Sequence, residues 1–141
     1  MTKKVYLCGP IANCEDEECI PWRNYATSVF CANGVGVENP MDRDMRGVKD
    51  FDHHALVAGD KAAIDKCSHV IVHWTRIGCG SSMEVLYAWE HKKRIVVVNL
   101  VEGPLSPWIR AHVDYVTDNL NDGINFVLND TMRPVTPHYA T

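Results

Sequence analysis

Two acidic side chains stand where ordinary surface charges are not expected. Asp60 falls within the stripe Leu56, Val57, Ala63, Ile64 and Cys67, whose spacing is that of the buried face of a helix. A carboxylate there is costly unless paired or hydrogen-bonded. It is therefore either a structural acid, bonded to a loop backbone or a nearby Lys or His, or a functional group with an environment-shifted pKa. Glu84 ends Ser81-Ser82-Met83-Glu84, which has the form of a capping box, with the Glu bonding back to the backbone at the helix start. The same placement puts a carboxylate in a first helical turn, just past Gly78-Cys79-Gly80, where free amides could hold an anion or a sugar hydroxyl. Two carboxylates converging on one crevice suit glycosidic-bond chemistry, one attacking the anomeric carbon and the other handling protons.

Other residues offer weaker chemistry. Tyr6 alternates into an apolar run as a core residue would, and its hydroxyl near a strand end could reach a carboxylate. Cys79 beside a helix start could be a nucleophile, but no histidine base lies near it in the sequence. The six cysteines contain no C-x-x-C pair and read as reduced thiols. Cys14 and Cys19 with His53 and His54 match no standard zinc spacing, and His69, His73 and His91 follow none either. Gly78-Cys79-Gly80 lacks the full dinucleotide fingerprint. Neither a metal nor a cofactor is expected.

The elements that must position these groups alternate. Residues 4–8, 35–40, 69–74 and 94–100 read as strands, with a further short strand around Val113-Asp114-Tyr115-Val116. Helices are expected from about Trp22 to Asn33, His53 to Cys67, Ser81 to Lys93 and Asn119 to Leu128. Strands apolar along their whole length, alternating with helices, predict an α/β Rossmann-like fold. Its sheet has five parallel strands in flavodoxin-like order, with helices on both faces. Ligands bind such sheets at the carboxyl ends of the strands, where the strand order reverses. That directs attention to residues 9–13, 39–47 and 75–84. Gly9, Pro10, Ile11, Asn39, Arg43, Arg46, Gly78, Gly80, Ser81 and Ser82 are the binding candidates there.

The chain has 141 residues, 46% of them hydrophobic, which fits a single domain over 1–141 with an irregular tail from about 130. Eighteen acids against 14 Lys plus Arg, the basic residues scattered, argue against a nucleic-acid polymer as partner. No apolar run approaches the roughly 20 residues of a membrane span, and no signal-peptide pattern follows Met-Thr-Lys-Lys. A cytoplasmic protein is expected.

Val5-Tyr6-Leu7-Cys8-Gly9-Pro10-Ile11, Asp60-x-x-x-Ile64 and Gly80-Ser81-Ser82-Met83-Glu84-Val85-Leu86-Tyr87-Ala88 resemble the motifs of the nucleoside 2-deoxyribosyltransferase superfamily. That superfamily includes the deoxynucleoside 5'-monophosphate N-glycosidases, and the resemblance covers roughly residues 4–100. It implies that Glu84 attacks C1' of a 2'-deoxyribosyl group, that Asp60 protonates or hydrogen-bonds the base, and that Tyr6 orients Glu84. The implied ligand is a small deoxynucleoside or deoxynucleotide. Nucleoside transferases of the family commonly carry an aspartate six residues before the nucleophile, where this chain has Gly78. That vacancy leaves room for a 5'-phosphate on the Gly80–Ser82 amides, with Arg43 or Arg46, or Ser106 and Arg110 of a second subunit, as further donors. Family members are usually homo-oligomers, so a homodimer or larger assembly is implied, with Trp108 a candidate contact. The competing reading is a non-catalytic nucleotide-binding sensor or scaffold, and a third is a cysteine-dependent enzyme using Cys79.

Overall fold

Side-chain alternation along β1 (Lys4–Cys8) sets the layout. Successive strand residues point to opposite faces, so Val5 and Leu7 enter one core cluster and Tyr6 and Cys8 the other, all four fully buried. In the computed structural model, which describes residues 2–131, helix α2 (Pro21–Ala32) covers the Val5 face through Trp22, Ala26 and Phe30. α6 (Leu120–Asn129) adds Ile124 and Val127 to that face. The Tyr6 face is covered by α3 (His53–Asp65) through Ala63 and Ile64 and by α4 (Cys79–Glu90) through Val85 and Ala88.

The remaining strands are β2 (Gly36–Glu38), β3 (His69–Trp74), β4 (Arg94–Asn99) and β5 (Tyr115–Thr117). They form one sheet in the order β2-β1-β3-β4-β5, every neighbouring pair parallel. This is the expected five-stranded parallel architecture. Because the crossover into β2 lies on one face and the crossover into β3 on the other, the order reverses beside β1 and opens a crevice at the carboxyl ends of β1 and β3.

The structure departs from the sequence reading in four places. The acidic cluster Glu15-Asp16-Glu17-Glu18, assigned to no element from the sequence, leads into a short helix, α1 (Asp16–Cys19), with Asp16, Glu17 and Glu18 in its first turn, where acids favour the positive end of a helix dipole. Val57, expected on the buried stripe, is 50% exposed, because α3 meets the core only at its Ala63–Ile64 end. Pro107–Arg110, assigned to no element from the sequence, forms the short helix α5, capped by the Ser106 hydroxyl. The helix expected from Ser81 starts at Cys79, with extended Gly78 as its cap. The expected Pro134–Pro137 part of the tail lies outside the described residues.

Candidate active site

That last shift changes what Glu84 does. With α4 beginning at Cys79, Glu84 falls in the second turn, beyond reach of the cap position, and the capping box does not form. Its carboxylate instead accepts a hydrogen bond from the Tyr6 hydroxyl at Oε2, and the Cys8 thiol approaches Oε1 at 3.7 Å. Both partners come from the β1 face that meets α4, so strand alternation delivers them. Glu84 opens partly to the cleft it lines but is crowded by protein on its other sides. That burial, reinforced by the negative charge of Asp60, pushes its carboxyl up to about 7 against the pull of the Tyr6 and Cys8 hydrogen bonds and of Arg23. Burial and then the charge of Glu84 hold the Tyr6 phenol far above its ordinary range, so Tyr6 stays a donor.

The second carboxylate is ion-paired. Arg43, at the end of the 3-10 turn Pro40–Arg43, donates from Nε to Asp60 Oδ1 at 2.9 Å. Arg46 is more heavily engaged: it pairs with Asp44 at 2.9 Å and Asp16 at 2.8 Å and also reaches the Cys14 carbonyl at 2.8 Å. Among the described residues neither arginine is left without a carboxylate.

Sequence reasoning missed Arg23. It is fully buried and pairs with no carboxylate among the described residues. It donates to the carbonyls of Leu7 at 3.2 Å, Gly9 at 2.9 Å and Cys19 at 2.8 Å, tying the end of β1 to the helices behind it. The signal was available: Arg23 stands three residues before Ala26 and seven before Phe30, on the apolar face of α2. Gly9 permits the approach, since a Cβ there would lie 3.1 Å from the His73 carbonyl and 3.2 Å from the Trp22 ring.

The two carboxylates and their neighbouring arginines Arg43 and Arg46 face a cleft of about 720 Å³, within the range of small-molecule sites, with Tyr6, Cys8 and Arg23 behind its wall. Glu84, Asp60, Arg43, Arg46, Gly9, Ile11 and Gly80 line it, joined by Phe51, Leu56, Met45 and the 12–15 turn. The other binding candidates do not. Asn39 caps the 3-10 turn by accepting from the Met41 amide at 3.0 Å, and Ser82 donates to the Gly78 carbonyl at 2.7 Å inside α4. Ser81 is buried, its carbonyl 3.9 Å from Cys8 Sγ, and Gly78 and Pro10 stand off the cleft wall. Cys79 is exposed beside Met83, also outside the lining.

No family model matches the chain, and no curated protein matches it. Solved structures do. A 2-deoxyribosyltransferase from Bacillus psychrosaccharolyticus superposes with a TM-score of 0.67 at 18% identity, covering 95% of this chain and 98% of that one. The 2-deoxyribosyltransferase of Leishmania mexicana gives 0.66 at 13% identity, over 92% and 99%. The CMP N-glycosidase BcmB of Clostridium botulinum gives 0.62 at 16% identity, over 87% and 96%. The chain therefore has the fold of the 2-deoxyribosyltransferases, as the motifs imply.

Proposed function

We propose that the chain cleaves the N-glycosidic bond of a 2'-deoxynucleoside or its 5'-monophosphate through a Glu84 glycosyl-enzyme. The observation that supports this most is the Glu84 carboxyl on the cleft wall, held at one oxygen by Tyr6 and at the other by Cys8. Such a clamp fixes the direction of attack on C1'. A 2'-deoxy sugar eases the oxocarbenium-like transition state, and a poised carboxylate traps it. The ester then passes to water or to a second base, and added free base reads out that partition as exchange product against free deoxyribose. Mass spectrometry of the chain incubated with a panel of deoxynucleosides and deoxynucleotides is the direct test. Saturable binding without product after long incubation would favour a sensor instead.

The phosphate is the less favoured option. Both cleft arginines already face carboxylates, and Glu15, Asp60 and Glu84 line the same cleft, so a dianionic group would meet little uncompensated positive charge. Bare deoxynucleosides are expected to turn over at least as fast as their 5'-monophosphates. Activity that vanishes on phosphatase treatment of the substrate would reverse this.

Only ionised Glu84 can attack, so base release should rise with pH and level off above about 7. Removing the Tyr6 hydroxyl takes away a bond that favours the carboxylate, so in Tyr6→Phe this acidic limb moves to higher pH. A limb that stays in place would remove Tyr6 from its orienting role.

Self-association belongs to this reading. Ile77, Met83, Leu86 and Trp108 are exposed around an apolar groove between α4 and α5, Trp108 by 78%. Sedimentation should show a dimer or larger species that Trp108→Glu weakens.

A further inference from the structure

Arg43 is more than a counter-charge. A Cβ at Gly59 would stand 2.9 Å from Arg43 Cδ and 3.4 Å from Nε, so the glycine gives the arginine room to lie against α3 next to Asp60. There Nε–H is committed to Asp60 Oδ1 at 2.9 Å, so that carboxylate oxygen is occupied as an acceptor. The Nη2 nitrogen is shielded and makes no hydrogen bond of good geometry, although the Tyr6 hydroxyl lies near the guanidinium, and such a donor costs free energy until an acceptor arrives. The side chain is 28% exposed and lines the same cleft as Glu84.

Resting on the glycosidic reading above, we propose that Arg43, held in place by Asp60, meets the departing base. Asp60 holds the guanidinium by one edge. A small swing of its free end brings an N–H to the acceptor beside the glycosidic nitrogen, O2 of a pyrimidine or N3 of a purine. Glu84 Oε forms a bond to C1' as the C1'–N bond breaks, and that electron pair leaves with the base nitrogen. The negative charge delocalises onto the acceptor that Arg43 bonds, a fixed donor aimed at developing charge. Water then attacks C1' and the ester C–O bond breaks, which restores the Glu84 carboxylate. The hydroxide part of the water stays on the sugar, and its proton neutralises the base. The ligand class is thus a deoxynucleoside whose base carries an acceptor next to its point of attachment, and Arg43 is a catalytic residue by contact with it.

The experiment compares a deoxynucleoside with 4-nitrophenyl 2-deoxyriboside, whose leaving group departs as a stable anion without help. Arg43→Met should lose about 10²–10³-fold on the deoxynucleoside, the loss typical of one removed oxyanion donor, and less than about 10-fold on the nitrophenyl sugar. The retained reaction also certifies the fold of the variant. Arg43→Lys should recover part of the loss. Asp60→Asn, whose amide oxygen still accepts from Nε, should lose less than Arg43→Met. Equal losses on both substrates in Arg43→Met would make Arg43 merely structural. A deeper loss in Asp60→Asn than in Arg43→Met, with the nitrophenyl sugar spared, would return the proton-donor role to Asp60. If the unaltered chain releases neither base nor nitrophenol, the glycosidic reading itself falls and this assignment with it. Release of both, with the Arg43 variant unimpaired, overturns the assignment alone.

Discussion

Glu84→Gln is expected to lose base release by about 10⁴–10⁶-fold, the scale on which removing a nucleophile acts, while becoming the more stable protein above neutral pH. The two effects share one cause. The Glu84 carboxyl, raised from 4.5 to about 7 by burial, keeps its proton in the folded chain over a range where the unfolded chain has lost it. Between about pH 4.5 and 7 the unfolded state therefore binds fewer protons, and stability falls as pH rises. The full shift corresponds to about 3 kcal/mol, and solvent in the open cleft screens part of it, leaving about 1–3 kcal/mol. Glutamine has no proton to lose, so melts of the variant should lack this slope, and at pH 8 it should unfold at higher temperature than the parent chain. Unchanged base release would remove Glu84 as nucleophile, whereas an unchanged slope would show that its carboxyl is not the titrating group.

Arg23→Met is expected to cost about 3–5 kcal/mol in urea unfolding. The substitution keeps most of the volume but strips the donor from the carbonyls of Leu7, Gly9 and Cys19, and buried acceptors left unmet cost about 1–3 kcal/mol each. The β1 end that these bonds secure carries Tyr6 and Cys8 next to Glu84, so catalysis should weaken along with stability. Arg23→Lys, with a shorter reach and no fork, should recover only part. Buried charges can instead be liabilities that an apolar residue relieves. A Met variant as stable as the parent chain would place Arg23 in that class.

Much of this was legible in the chain itself. Apolar runs such as Val70-Ile71-Val72 and Ile95-Val96-Val97-Val98 predict strands buried on both faces, and the helices between them predict parallel order, because parallel neighbours need crossovers. Asp60 could be singled out because it interrupts an apolar stripe, and Glu84 because it follows the Gly78-Cys79-Gly80 turn at a helix start. Arg23 broke one too, and its place on the α2 stripe went unread because arginine on a helix is ordinary unless the face is known.

Local sequence could not choose between the two readings of Glu84. Whether Ser81 caps a helix depends on where the backbone turns helical, and Gly78, extended, moves that point to Cys79. Once the cap was gone, the partner came from 78 residues away, Tyr6 on a strand that alternation aims at α4. Asp60 and Arg43 show the same division: the sequence marks an acid on a buried stripe, but its pairing depends on a 3-10 turn and on the glycine that lets the arginine lie down. The sequence by itself determined the sheet, its layers and the two carboxylates, because periodicity and burial are properties of neighbours along the chain. Which carboxylate is held by Tyr6 and Cys8 on the cleft wall and which is tied to an arginine only the tertiary structure decided, because hydrogen bonds and burial shifts depend on atoms brought together from distant segments.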